Sequence, residues 1–271
     1  MNIRAISEQL VGARLRAEAM ATFPAQIPGT LAEAYDIQDS AIALWPDRIA
    51  GWKVGRIDPA IALRLGEDRL VGPVFAQDIR AAASGGLVDF PVFEGGFAAV
   101  EAEFVFRLAS GAQAGKVAWT TEEAAQLVAA LHVGIETAGS PLALINELGP
   151  TVVVSDFGNN AGLLLGPEIA GWRDQALASL TCETFIDGRS VGRGGALSLA
   201  GGPLAALAFA LGRCAQRGRP LAAGDLVSTG ATTGIHAIRQ GERAQVRFDG
   251  IAELWCHAVP AAARPGAPSF S

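Results

Sequence analysis

The chain has 271 residues, half of them apolar and 18% charged, with a formal net charge of −6. That length supports one large domain, or a main domain with a small appendage, around a sizeable core, and the composition excludes disorder except at the ends. Negative charge with no Lys/Arg cluster or aromatic-basic stripe sets nucleic acid aside as a partner. The first twenty residues carry charge throughout and lack a secretory apolar run, and no later stretch forms an uninterrupted membrane span. Cys182, Cys214 and Cys256 are widely separated and odd in number, which suggests neither a disulfide framework nor a zinc knuckle. A cytoplasmic protein with no membrane contact is expected.

In chain order, residues 4–20 read as a helix. A second helix is announced by the Thr30/Glu33 capping box, followed by Ala34, Ile37, Ala41, Leu44 and Trp45 at helical spacing. After Pro46 the texture changes to short β-like runs bounded by Gly, Pro and Asp, beginning with Ile49 to Gly55 and continuing to Leu108. Helices are expected at 121–131 and 203–216, the latter closing at Gly218. Residues 243–248 and 251–256 alternate on either side of Asp249-Gly250, the strongest hairpin signal in the chain. The Pro/Ala/Ser-rich tail after Pro260 reads as loose. The expected division is a helical part over 1–70 that contributes the Gly51–Gly55 strand, and a β-rich catalytic part over 71–271.

Chemistry concentrates in the carboxylates. In Val100-Glu-Ala-Glu-Phe104 a strand puts Glu101 and Glu103 on one face, about 7 Å apart at Cα. Two such groups in an enclosed site repel unless one is protonated or a cation intervenes. Glu136 lies in another β-like run directly after a helix, a placement able to bring a third carboxylate beside the pair. All-oxygen ligation of this kind suits Mg²⁺ or Mn²⁺ over zinc. A solvent-facing amphipathic strand is the competing reading for Glu-x-Glu alone.

Only two lysines occur in the chain. Lys53 sits within Gly51-Trp-Lys-Val-Gly55, where it is partly desolvated or paired with a carboxylate, or else is a strand lysine reaching solvent. Asp78 follows an apolar strand and is a candidate partner for Lys53 or an acid/base; a turn-forming aspartate is the alternative.

In order and spacing, these pieces resemble the fumarylacetoacetate hydrolase superfamily, in its branch of 2-keto-4-pentenoate hydratases and 4-oxalocrotonate decarboxylases. The matching stretches run from Ala34–Gln38 through Gly51–Gly55, Gly72–Asp78, Val100–Phe104, Ile135-Glu136, Asp156–Gly166, Gly202–Leu204 and Leu221–Gly230 to the final hairpin, nearly the whole chain. The resemblance implies an α+β fold, a mixed β-sandwich or β-roll with a small helical N-terminal part. It also implies Mg²⁺ or Mn²⁺ held by Glu101, Glu103 and Glu136, with Lys53 and Asp78 as catalytic groups. A glutamate at 136, with Gly139-Ser140 where many hydrolases carry an aspartate, points to the hydratase side. The implied activity is hydration of a 2-hydroxydienoate to a 4-hydroxy-2-oxo acid in aromatic-compound catabolism. Decarboxylation and acylpyruvate C–C hydrolysis are the alternatives, and a silent partner subunit is the non-enzyme alternative.

Arg56, Asn160, Thr229 and Gly230 are the candidate contacts to a small 2-oxo acid, and a homo-oligomer, with or without a companion decarboxylase, is expected. The stretch Ser155–Gly162 is one residue longer than the family's usual pattern, with Asn160 where a serine hydroxyl is common, and the usual arginine is replaced near Pro141. Two decoys are declined. Gly188-Arg-Ser-Val-Gly192 follows an Asp-Gly turn and lacks the strand-turn-helix context of a nucleophile elbow. Gly230–Gly234 lacks the Gly-Lys-Ser/Thr of a phosphate loop and reads as a turn bordering the pocket.

Overall fold

Local capping signals set the first helices of the computed structural model, which describes residues 1–264. Helix α1 (Ile3–Arg16) stops where Ala17 adopts a left-handed φ of 55°. It does not reach residue 20 as expected, because Met20 bridges to Leu142 instead. Helix α2 (Leu31–Leu44) starts with the expected box: Thr30 Oγ1 accepts from the Glu33 amide, and the Glu33 carboxylate accepts from the Thr30 amide.

The chain then runs through β1 (Ile49–Arg56), α3 (Pro59–Leu65), β2 (Arg69–Phe75), β3 (Ile79–Ala81), β4 (Leu87–Val92) and β5 (Phe97–Leu108). Next come α4 (Thr121–Gln126), β6 (Val128–Ser140), α5 (Ile145–Leu148), α6 (Pro150–Ser155), β7 (Asn160–Glu168), β8 (Thr181–Ile186) and β9 (Arg189–Gly195). The described chain closes with α7 (Gly202–Gln216), β10 (Leu226–Ser228), β11 (His236–Ala237), β12 (Arg243–Phe248) and β13 (Ala252–Pro260). The tail expected to be loose falls mostly outside the described residues. No helix among the described residues is long and apolar enough to cross a membrane.

Among the described residues thirteen strands form two sheets, the mixed β architecture expected from the sequence. The larger runs β2-β1-β10-β5-β6-β7-β3, with β11 also on β5; the smaller runs β4-β13-β12-β8-β9. Alternation on β5 decides how they pack. Phe104 and Phe106 point toward the smaller sheet, where the Phe104 ring meets Phe248 edge-on at 5.8 Å. The opposite face of β5 turns into the concave side of the larger sheet, where Val74, Val105, Leu163 and Leu226 from β2, β5, β7 and β10 cluster. The larger sheet is therefore rolled, with a buried inner surface. Pro73 lies in β2 at the edge of the ordered path, a position where a missing N–H costs little. The division drawn at residue 70 falls inside β2.

One expected helix is halved. α4 ends at Gln126, and Val128 to Leu131 extend as strand, paired with Leu108 to Phe106 of β5. A short apolar run is ambiguous between helix and strand, and the long partner strand settles it here. The Asp249-Gly250 hairpin forms as expected, with Phe248 opposite Ala252, and Gly188 lies in the turn between β8 and β9.

Candidate metal centre

Strand register assembles the site. Glu101 and Glu103 share the inner face of β5, and Glu136 on β6 is the direct cross-strand neighbour of Glu101, a relation that puts Cβ atoms roughly 5 Å apart. All three side chains are buried, and one oxygen from each lies within 4.8 Å of the others. Lys53 reaches the same place from β1, its Nζ 3.4 Å from Glu136 Oε1. These groups stand at the inner end of a cavity of about 600 Å³, which Lys53 and Glu101 line.

Each anchored carboxylate has one oxygen held and one left over. Glu103 Oε2 accepts from Ser228 Oγ at 2.5 Å and from the Gly230 amide at 2.9 Å. Glu136 Oε1 accepts from Asn160 Nδ2 at 3.0 Å. Glu103 Oε1 and Glu136 Oε2 are buried without a hydrogen-bond partner. Buried acceptors are costly when unpaired, and both belong to carboxylates of the close-set trio. Three hard oxygen donors fit a divalent cation of the Mg²⁺ or Mn²⁺ kind.

The electrostatics describe the same conflict. Burial, then Glu136, pushes the Glu101 carboxyl up to about 8 against the opposing pull of Lys53. Burial and the two neighbouring glutamates hold Glu103 well above the carboxylate range. Burial alone would strip the Lys53 proton, but Glu136, followed by Glu101 and Glu103, outweighs it and raises the ammonium above its usual value. One lysine cannot balance three carboxylates. A divalent cation completes the neutralisation.

A second buried network backs the first. Arg14 of α1 makes a two-point ion pair with Asp156 and donates to the Asn160 and Gly139 carbonyls at 3.0 and 2.9 Å. Ser140 Oγ donates to Asp156 Oδ2 at 2.5 Å. Between Asp156 and Asn160, Phe157, Gly158 and Asn159 all take positive φ, strain that needs outside support. Gly72 supplies some of it, since a Cβ there would lie 2.1 Å from the Phe157 carbonyl oxygen. This close approach seats the turn on β2, beside the Lys53 stem.

Lys53, Glu101, Glu103 and Glu136 thus come together, and Asp78 sits apart from them. Asp78 does not meet Lys53: it forms part of a separate small cleft, and its Oδ1 accepts from Arg264 Nη2 at 2.5 Å. Burial, only partly offset by Arg264, raises its carboxyl. Asn160 donates to Glu136, and Gly230 lines the cavity while its amide donates to Glu103. Thr229 lines the cavity but donates its hydroxyl to the Phe104 carbonyl at 2.8 Å. Arg56 lines the cavity at its mouth and is exposed. Ser190 of the declined Gly-x-Ser-x-Gly match lies on β9 and donates to Glu183. Sequence reasoning missed Ser228 and Arg14. Ser228 precedes the flagged Thr229-Gly230, whereas Arg14 carries no local signal.

No family model matches the chain. Among curated proteins, a 2-keto-4-pentenoate hydratase of Burkholderia vietnamiensis is 27% identical over 210 residues, covering 77% of this chain and 77% of the relative. A 4-oxalocrotonate decarboxylase of a Pseudomonas species is 27% identical over 259 residues, covering 94% of this chain and 97% of the relative. Among solved structures, a 4-oxalocrotonate decarboxylase from Pseudomonas putida G7, complexed with magnesium and adipate, matches with a TM-score of 0.80 at 20% identity, covering 95% of this chain and 97% of that one. A fumarylpyruvate hydrolase from Pseudomonas aeruginosa, in complex with Mn²⁺ and pyruvate, matches with a TM-score of 0.58 at 22% identity, covering 80% of this chain and 91% of that one.

Proposed function

We propose that this chain is a metal-dependent hydratase of the fumarylacetoacetate hydrolase superfamily, a reading supported by its 27% identity to a 2-keto-4-pentenoate hydratase and to a 4-oxalocrotonate decarboxylase and by its fold. Its substrate on this reading is a 2-hydroxydienoate, and water adds across the remaining double bond to give a 4-hydroxy-2-oxo acid. The observation that carries the reading is the buried trio Glu101, Glu103 and Glu136, close enough to share one cation, with two buried unpaired oxygens and with Lys53 beside Glu136.

The trio would hold Mg²⁺ or Mn²⁺. Bound there, the cation supplies Lewis-acid stabilisation of the negative charge that develops on a 2-oxo acid. Ser228 and Gly230 fix Glu103, and Asn160 fixes Glu136, so two of the three carboxylates are oriented before any ligand arrives. Lys53 is the proton carrier: its ammonium lies on the cavity wall and can deliver a proton to a dienol carbon, then recover one from the enol oxygen. Neutralising the glutamates removes the charge that keeps Lys53 protonated, which makes that proton easier to transfer. Asp78, engaged by Arg264, is left out of this scheme.

Decarboxylation is the second reading, favoured by the nearly full-length match to a decarboxylase in sequence and in fold. The test follows loss of the 2-hydroxydienoate ultraviolet band with and without Mg²⁺, in the native protein and in Glu103→Gln, while assaying released CO₂. Mg²⁺-dependent loss without CO₂ supports the hydratase, and stoichiometric CO₂ supports the decarboxylase. Equal turnover without metal overturns both, and metal binding with no turnover on any 2-oxo acid leaves a silent partner subunit.

A further inference from the structure

Asn159 carries an amide with unused hydrogen-bonding capacity on the wall of the cavity that Lys53 and Glu101 also line. The residue is 3% exposed, and its Oδ1 is buried with no hydrogen-bond partner among the described residues. The other end is barely engaged: Nδ2 reaches Asn146 Oδ1 at 3.4 Å, beyond the usual range for such a bond. Asn146 lines the same cavity and is exposed. A half turn of the Asn159 amide about Cβ–Cγ therefore brings its oxygen to the side where Nδ2 now stands, at the cost of one long contact.

The backbone holds Asn159 here under strain. Its φ is 63°, the last of three consecutive left-handed residues, and Gly158 before it packs so near Lys53 that a Cβ at 158 would lie 3.3 Å from Lys53 Cδ. The amide thus stands one residue from the Lys53 stem. Two other neutral polar side chains of the cavity are committed: the Thr229 hydroxyl donates to the Phe104 carbonyl, and Ser198 Oγ accepts from the Gly195 amide. Val153, Leu199 and Ile235, also on the wall, offer no hydrogen bond.

We propose that the Asn159 amide oxygen holds the water that adds to the substrate. The inference rests on the hydratase reading above and names its water site. A 2-oxo acid drawn by its oxygens to the glutamate end leaves a hydrocarbon tail along the cavity, and that tail has no group of its own to hold water. In the step served here, the water oxygen bonds to the far carbon of the double bond conjugated with the oxo group, and the π pair moves through to the oxo oxygen as an enolate. The added oxygen sheds one proton to solvent. The enolate carbon takes one from Lys53, which regains it from solvent. Asn159 exchanges no proton: by accepting one hydrogen bond it turns a lone pair of the water toward the carbon.

The test gives 2-hydroxypenta-2,4-dienoate to the Mg²⁺-loaded protein. Proton NMR follows how it divides between 2-oxopent-3-enoate, an isomer formed without water, and the hydrated product 4-hydroxy-2-oxopentanoate. Asn159→Gly suits the left-handed backbone and removes the amide. Its ratio of hydrated to isomerised product is expected to fall about tenfold, the worth of one hydrogen bond. Asn159→Asp keeps an acceptor and tolerates the same φ, and its ratio is expected to stay within about threefold of the native one. A thermal melt and a Mg²⁺ titration check that each variant folds and loads metal. A native ratio in Asn159→Gly overturns the inference. So does a tenfold fall in Asn159→Asp, the variant that decides alone if the glycine protein does not fold. If the native protein forms no hydrated product, the hydratase reading falls and this inference with it. If it hydrates and Asn159→Gly partitions as the native protein does, only the water site falls.

Discussion

Arg14 and Asp156 form a buried two-point ion pair, with Nε to Oδ1 at 2.5 Å and Nη2 to Oδ2 at 2.9 Å, one hydrogen bond behind Asn160 and two behind Glu136. Removing one partner of such a pair strands the other charge. Arg14→Met is therefore expected to cost about 3–5 kcal/mol of stability, measured by urea unfolding. It should also weaken Mn²⁺ binding about tenfold, because Asn160 loses the contact that holds its backbone. Arg14→Lys should recover little of either: a point charge cannot reach the Asp156, Asn160 and Gly139 acceptors together. Titration of Mn²⁺ by electron paramagnetic resonance reads the second effect, and unchanged affinity in a folded Arg14→Met protein would refute it.

The glutamate trio makes metal binding and stability depend on pH in opposite directions. Glu101 holds its proton to about pH 8 in the folded, metal-free protein, whereas in the unfolded chain the same group ionises near its ordinary value of about 4.3. Between those values the folded state binds more protons. Metal-free stability contributed by this group is thus fully present below the unfolded value and is lost as pH rises through about 8. Metal affinity should climb over the same range, with protons released on binding. Melting curves from pH 5 to pH 9 with EDTA or with Mg²⁺ check this: the EDTA curve should fall toward high pH and the Mg²⁺ curve should not.

Much of this site was legible in the sequence, because strand alternation carries it. Glu101 and Glu103 share a face by period alone, and Lys53 between two glycines marks a strand where backbones crowd. Glu136 was placed by resemblance, and only the β5–β6 register makes it the neighbour of Glu101. What the sequence hid is long-range. Nothing near Arg14 announces a partner at Asp156, and nothing in Asn160 or Gly230 shows that each donates to a glutamate. Asp78 misled for the same reason, since its partner is Arg264, near the other end of the chain. The helix expected over 121–131 failed at 127 because local apolar spacing cannot register the pull of a long neighbouring strand.

Ser228 offers a cleaner probe of ligand orientation than the glutamates do. Its hydroxyl donates to Glu103 Oε2 and favours the ionised carboxylate. Ser228→Ala should leave the fold intact, weaken Mg²⁺ binding by about tenfold, and move the pH at which the metal binds upward. Gly230→Ala is harsher, since its φ of 112° disfavours any side chain. An unchanged pH midpoint of Mg²⁺ binding in Ser228→Ala would show that the hydroxyl does not tune Glu103.

Asp78 and Arg264 give an asymmetric pair of variants. Burial has raised the Asp78 carboxyl, and Arg264 only partly opposes it. The group therefore stabilises the fold most below its unfolded value, and that contribution is lost as pH rises through the folded one. Asp78→Asn removes the buried charge together with its ion pair, two effects that largely cancel, and should cost under about 1 kcal/mol. Arg264→Met keeps the apolar contact with Trp45, over whose ring Arg264 now sits at 4.7 Å, but leaves the carboxylate without its cation. It should cost more than Asp78→Asn at pH 8, and the gap should close as the pH falls and Asp78 takes up its proton. Neither variant should alter Mn²⁺ affinity by more than about twofold, because the pair touches none of the three glutamates, whereas losing a contact that holds a ligand carboxylate shifts affinity about tenfold or more. A large loss of metal affinity in Asp78→Asn, with stability unchanged, would instead tie Asp78 to the metal centre and return it to the catalytic role expected from sequence.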